Sequence, residues 1–348
     1  MCYAYWDGSV RPRDYRNRSN SSANRLNSRL RGLLPHLLLS VTLALTLNGC
    51  SIKRLAVNSL ADTLASGGAS VYATDDDPEL VGDALPFALK SIESLLEITP
   101  NHKGLLIAAA SGFVQYAHAY VLWPANSVES SDLVAARKGR ARAKRLFVRA
   151  RDYGLRALES CSPGITQALI NNPLAAVAKI ERADVPALYW TGAAWGSAIS
   201  VAKDDMALIG DVPIVRALLQ RALDLDESWG DGAIHEFFLI FEAGRSEAEG
   251  GGIDKAEAHF ARAMELNGGR SITPLVSLAE TVCVRRQDRQ RFKSLLLKAL
   301  AFDVNRYPEN RLSNILAQRR AAELLDNIDE LFFADDEIKE KEEESHTN

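Results

Sequence analysis

Cysteine is scarce in this chain, with four among 348 residues. Two of them, Cys2 and Cys50, fall in the first fifty, so no disulfide framework can organise the fold. Cys161 and Cys283 lie far apart in helix-like segments and are not expected to pair. The six histidines offer no metal spacing. "HEFFL" at His235 opens like H-E-x-x-H, but Leu239 replaces the second ligand. The glycines of "EGGGID" are followed by neither lysine nor a hydroxyl residue, which excludes a P-loop and leaves a turn. There is no G-x-S-x-G, and neither Cys161 nor Cys283 has a histidine close in sequence. No metal, cofactor or catalytic residue is therefore expected, and the chain is read as a non-enzyme. β-branched alternation is nearly absent, which excludes a sheet protein.

What is present begins with a polar leader. Residues 1–31 carry seven arginines and two acids, with no apolar period to build a core. From Gly32 to Leu47 the chain turns apolar, but its clean part is too short for a membrane span of about 20 residues and fits a signal-peptide h-region. Leu47-Asn48-Gly49-Cys50 resembles a bacterial lipobox, so residues 1–49 are read as a signal peptide and Cys50 as the acylated first residue. Subtracting the leader's seven arginines and two acids from the 41 basic and 45 acidic residues leaves a net charge of −9. Such a chain is a poor partner for nucleic acid.

Beyond Cys50, apolar residues recur at i, i+3, i+4 and i+7, the mark of amphipathic helices. Residues 50–83 are assigned to the lipidated N-terminus and first helix region, and 84–333 to a helical domain. Residues 334–348, "ADDEIKEKEEESHTN", form an acidic tail expected to be disordered. Within the domain a tetratricopeptide-like spacing of small and large residues recurs as Ala88-Ile92-Leu95, Ala150-Gly154-Ala157, Val215-Leu219-Ala222, Ala256-Phe260-Ala263 and Phe292-Leu296-Ala299. First-helix candidates lie between, at 104–120, 186–202, 232–243 and 272–286. The expected fold is all-α, an irregular TPR-like array of about four helix pairs with an extra N-terminal helix and a long C-terminal helix, Asn310 to Phe332. Segments 123–132 and 162–184 are insertions, the second holding a short helix around 168–180.

"TDDDPE" at Thr74 is a helix start, with Asp77 as N-cap and Pro78 at the first position. Arg137 to Arg151 holds eight basic residues in fifteen. It is either a solvated helix face or a docking surface for an acidic partner or lipid headgroups. Aromatics are few, so Tyr189, Trp190 and Trp195, together with "HEFFLIFEA" at 235–243, stand out. Most are expected in the core. Those that are not, with His235, Phe238 and the acids Glu236, Glu242 and Glu280, would line a concave ligand or partner groove.

"DDDPELVGDALPFALKSIESLLEITPNHKGLLIAAASGFVQYAHAYV", "GAIHEFFLIFEA", "HFARAMELNGG", "SLAETVCV" and "YPENRLSNILAQRRAAELLDNIDELFF" resemble the T component of certain TRAP transporters, over roughly residues 50 to 333. That resemblance implies a tetratricopeptide-like periplasmic lipoprotein, homo-oligomeric and trimeric, with a ligand-accessible pore in each subunit. Its partners would be a substrate-binding P component, a small hydrophobic or carboxylate-bearing solute, and the membrane through the lipid anchor, at the outer membrane's periplasmic face. Asn310, Arg311 and Arg319, in and after "YPENRL", are the expected partner-docking residues. The competing readings are a helical lipoprotein that scaffolds outer-membrane or cell-wall assembly, and an enzyme whose site only the folded repeats create.

Overall fold

Asp77 opens the first helix that lies wholly within the described residues: its carboxylate accepts the Leu80 N–H at 2.9 Å, and Pro78, which has no N–H to leave unpaired, follows it. This helix, α1, runs Pro78–Ile98. The computed structural model describes residues 71–333, and the signal peptide, Cys50 and the acidic tail expected from sequence lie outside them. Among the described residues the structure is all-α, with no strand.

Four helix pairs follow α1. The first is α2 (Lys103–Ser127) with α3 (Leu133–Cys161), and the second is α4 (Val185–Ser200) with α5 (Val212–Leu225). The third is α6 (Ala233–Ala243) with α7 (Ile253–Asn267), and the fourth is α8 (273–286) with α9 (Arg289–Leu300). α10 (Arg311–Asp326) comes last. α2, α4, α6, α8 and α10 touch in succession, and α10 also meets α1, so the ends of the array come together. α2 is long and apolar enough to cross a membrane by length and composition, yet half of that stretch is buried in the protein. Its Leu105, Leu106, Ala109, Ala110 and Phe113 supply the core between α1, α3 and α4.

The recurring small-and-large spacing marks buried positions. Ala150, Gly154 and Ala157 on α3, Val215, Leu219 and Ala222 on α5, Ala256 and Ala263 on α7, and Phe292, Leu296 and Ala299 on α9 are all buried. Gly154 shows why small residues are needed: a Cβ there would lie 2.3 Å from Thr191 Oγ1 and 3.0 Å from Thr191 Cα on α4. On α1 the set differs. Ala88, Ile92 and Leu95 are only half-buried, and Val81, Leu89 and Leu96 face inward instead.

Two expected helices are interrupted. The piece at 168–180 is two short helices, Ile165–Asn171 and Pro173–Val177, since Asn172 caps the second by accepting the Ala175 N–H at 3.2 Å and Pro173 cannot continue the first. The C-terminal helix stops at Asp326 and resumes as Ile328–Leu331. There Asn327 turns its side-chain amide back onto the Glu323 carbonyl at 2.9 Å, a local bond that competes with the helix. Cys161 and Cys283 are both free thiols.

Candidate functional site

Between α10 and the helices α2, α3 and α4, a cleft of about 730 Å³ opens. One wall is α10 and its continuation, with Arg320, Glu323, Leu324 and Leu331. The other combines the end of α2 (Leu122, Asn126, Ser127), Arg140 of α3 and the turn after α4 (Val201, Lys203). Apolar, basic and acidic side chains all line it, a mixture that a small molecule with both apolar and polar parts can use.

The α10 wall is held from behind. Arg320, only 10% exposed at its side chain, bonds Glu280 of α8 at 2.5 Å and Glu323 at 2.8 Å. Glu323 in turn accepts the Ser127 hydroxyl, which joins the walls. At the mouth, Arg140 grips Glu129 with two N–H groups and donates to Asn126 at 3.0 Å. Lys203 has no ionic or hydrogen-bonding partner among the described residues.

Polar groups continue inward along α8. Thr273, Ser277 and Glu280 recur at i, i+4 and i+7 and so share one helix face. Thr273 Oγ1 and Ser277 Oγ donate to the two oxygens of Glu236 on α6 at 2.8 and 3.0 Å. The Glu236 carboxyl is half-buried and has no cation against it among the described residues, so burial pushes its pKa up against those two hydrogen bonds. Burial also raises the Tyr189 phenol on α4, with the Glu236 charge adding to it. Tyr189 packs on Trp190 and Trp229, with ring centroids 4.9 and 4.6 Å away. The polar series therefore runs from Tyr189 through Glu236 and α8 to Arg320 at the cleft.

α2, which lines the cleft, and α8, which carries Thr273, Ser277 and Glu280, each contain a π-turn, His118–Leu122 and Ala279–Cys283 respectively. Pro124 lacks the N–H that would bond the Tyr120 carbonyl, which favours the first. The second includes Glu280. His118 sits at the start of its π-turn, 2.9 Å from Ser197 Oγ of α4, and burial lowers its pKa to about 4.

Of the residues singled out in the sequence, Tyr189, Trp190, Glu236 and Glu280 belong to or adjoin this polar series. The others lie elsewhere. Trp195 is buried, donating to Asp211 at 3.1 Å beneath the Arg151 guanidinium. Phe238 is core. Glu242, 2% exposed, ties α6 to α5 through Arg216 at 2.6 Å. His235 faces His259 at 2.8 Å and Glu227 at 3.2 Å. Arg311 donates to the Thr74 carbonyl at 3.1 Å and Arg319 pairs with Glu79, so both brace α10 against the start of α1. Asn310 ends the short turn leading into α10. Sequence reasoning missed Arg320, Glu323, Thr273 and Ser277. The i, i+4, i+7 spacing on α8 was a usable signal, whereas the pairing of Arg320 with Glu280 requires the fold.

Residues 74–332 match the family described as TRAP transporter T-component. The chain is also similar to a protein of Treponema pallidum (strain Nichols) described as an uncharacterized protein, 31% identical over 302 residues that cover 82% of this chain and 94% of that one.

Proposed function

The chain belongs to the TRAP transporter T-component family and is an accessory subunit of a TRAP transporter, and from that premise we propose that it is a lipid-anchored periplasmic protein that binds the solute-binding P component. Its helix pairs are tetratricopeptide-like, its cleft holds or passes a small hydrophobic or carboxylate-bearing solute, and it assembles as a trimer at the outer membrane. The observation that carries the solute role is the cleft itself. Apolar Leu122, Leu324 and Leu331 stand beside three cations, Arg140, Lys203 and Arg320, and three acids, Glu129, Glu323 and Glu330. Arg140 and Arg320 are held by carboxylates, which leaves Lys203 to meet the anionic end of a molecule with an apolar body. Acylation of Cys50 supplies the membrane attachment, since two or more acyl chains anchor stably where one does not.

Native mass spectrometry of the protein purified from its own membrane tests the solute role. A bound small acid that is lost in Arg140→Gln/Lys203→Gln supports it, and a protein that carries and binds no small acid refutes it. Labelled palmitate incorporated by the wild type and not by Cys50→Ala tests the anchor separately.

A further inference from the structure

The basic segment noted in the sequence is not spread evenly around α3. Lys138, Arg142, Arg145, Arg149 and Arg156 are all exposed and follow one another at steps of four, three, four and seven, so they form a single ridge along one face. At 1.5 Å per residue the ridge is about 27 Å long. Two acids touch it: Asp152, which Arg151 already engages at 2.8 Å, and Glu93 of α1, 3.7 Å from Arg149. Arg142, Arg149 and Arg156 lie over the rings of Tyr116, Phe113 and Tyr153 at 5.7, 5.4 and 5.3 Å, which holds their stems in place. Lys138, Arg145 and the neighbouring Arg137 have no partner among the described residues. Just before the ridge, Leu133 and Val134 are 47% and 77% exposed.

We propose that this ridge seats the domain on an anionic phospholipid surface, with Leu133 and Val134 entering the headgroup boundary. This rests on the membrane placement proposed above. A straight file of cations along one helix face, with exposed apolar side chains at one end, matches the chemistry of an interfacial helix. An acidic protein would instead be expected to meet a shaped, partly apolar patch. The remainder of a chain carrying net negative charge is repelled by such a surface, so the ridge fixes orientation. Arg140 of the cleft lies about 200° around α3 from Lys138, at 3.6 residues per turn. The cleft therefore stays open when the ridge is seated.

The test is co-flotation of the chain from residue 50 onward, carrying Cys50→Ala so that no lipid contributes, with phosphatidylglycerol–phosphatidylcholine vesicles and with pure phosphatidylcholine vesicles. The expected result is binding only to the anionic vesicles, weakened by salt, with a loss of about fivefold for each of Lys138→Gln and Arg145→Gln. Val134→Ser is expected to weaken it further. Both basic side chains are exposed and unpartnered, so the variants should keep the parent's circular dichroism and melting curve. Equal binding to both vesicle types, binding unchanged in the variants, or loss of P-component binding in the variants with no vesicle binding at all would each overturn the proposal. Palmitate labelling of Cys50 reads the anchor independently: an unlabelled wild type with an intact flotation result sinks the anchor alone.

Discussion

Arg320 of α10 stands 2.5 Å from Glu280 of α8, and the same guanidinium reaches Glu323 at 2.8 Å. One largely buried cation thus balances two carboxylates at the wall of the cleft. Arg320→Gln leaves both acids facing each other. A loss of about 1–2 kcal/mol is expected, smaller than for a fully buried pair because Glu280 is 37% exposed. Urea denaturation at neutral pH measures it, and the double variant Arg320→Gln/Glu280→Gln should recover part of the loss.

Glu236 is expected to weaken the fold at neutral pH. Its folded pKa lies above the ordinary carboxylate value because of burial, so the stability linked to its protonated form is complete in acid and is lost as pH rises through the folded pKa. Glu236→Gln removes the charge, keeps one acceptor oxygen for one of the two hydroxyls and offers its amide N–H to the other. Its melting temperature should exceed that of the wild type at pH 7 and match it near pH 4.

His118 acts in the opposite sense. With its folded pKa lowered from 6.5 to about 4, the wild type should lose stability as pH falls below 6.5, with the loss complete near 4, by at most about 3 kcal/mol from this residue. His118→Gln, which can still bond Ser197, should flatten that part of the profile. Thermal melts across this range decide it.

Gly154 tests the close approach of α3 to α4. Gly154→Ala places a methyl against Thr191, and a destabilisation of about 1–3 kcal/mol is expected. Gly210→Ala is the control: a Cβ there meets nothing within 4 Å, and the change should be neutral or slightly stabilising.

Gly154 also shows what was legible before the fold was known. Small residues at Ala150, Gly154 and Ala157 and the stripe Leu106-Ala109-Ala110-Phe113 follow directly from helical period, so the helix order could be read from the chain. The start of α1 was legible at Asp77-Pro78 because capping is local. The cleft was not, since Ser127 and Glu323 are 196 residues apart and meet only when the array closes. Trp195 and Glu242 looked like groove residues because rarity and charge were the only signals, and neither reports which face of a helix is inward. The π-turns, which alter the helical register, also left no periodic trace.

The central claim, an accessory subunit that engages a P component, is tested most directly by calorimetric titration of the purified mature protein with the P component of the same transporter. A saturable complex with a Kd on the order of 1 μM or tighter is expected, equivalent to about −8 kcal/mol. Absence of binding at concentrations about a hundredfold higher, a difference of roughly 2.7 kcal/mol, would contradict it.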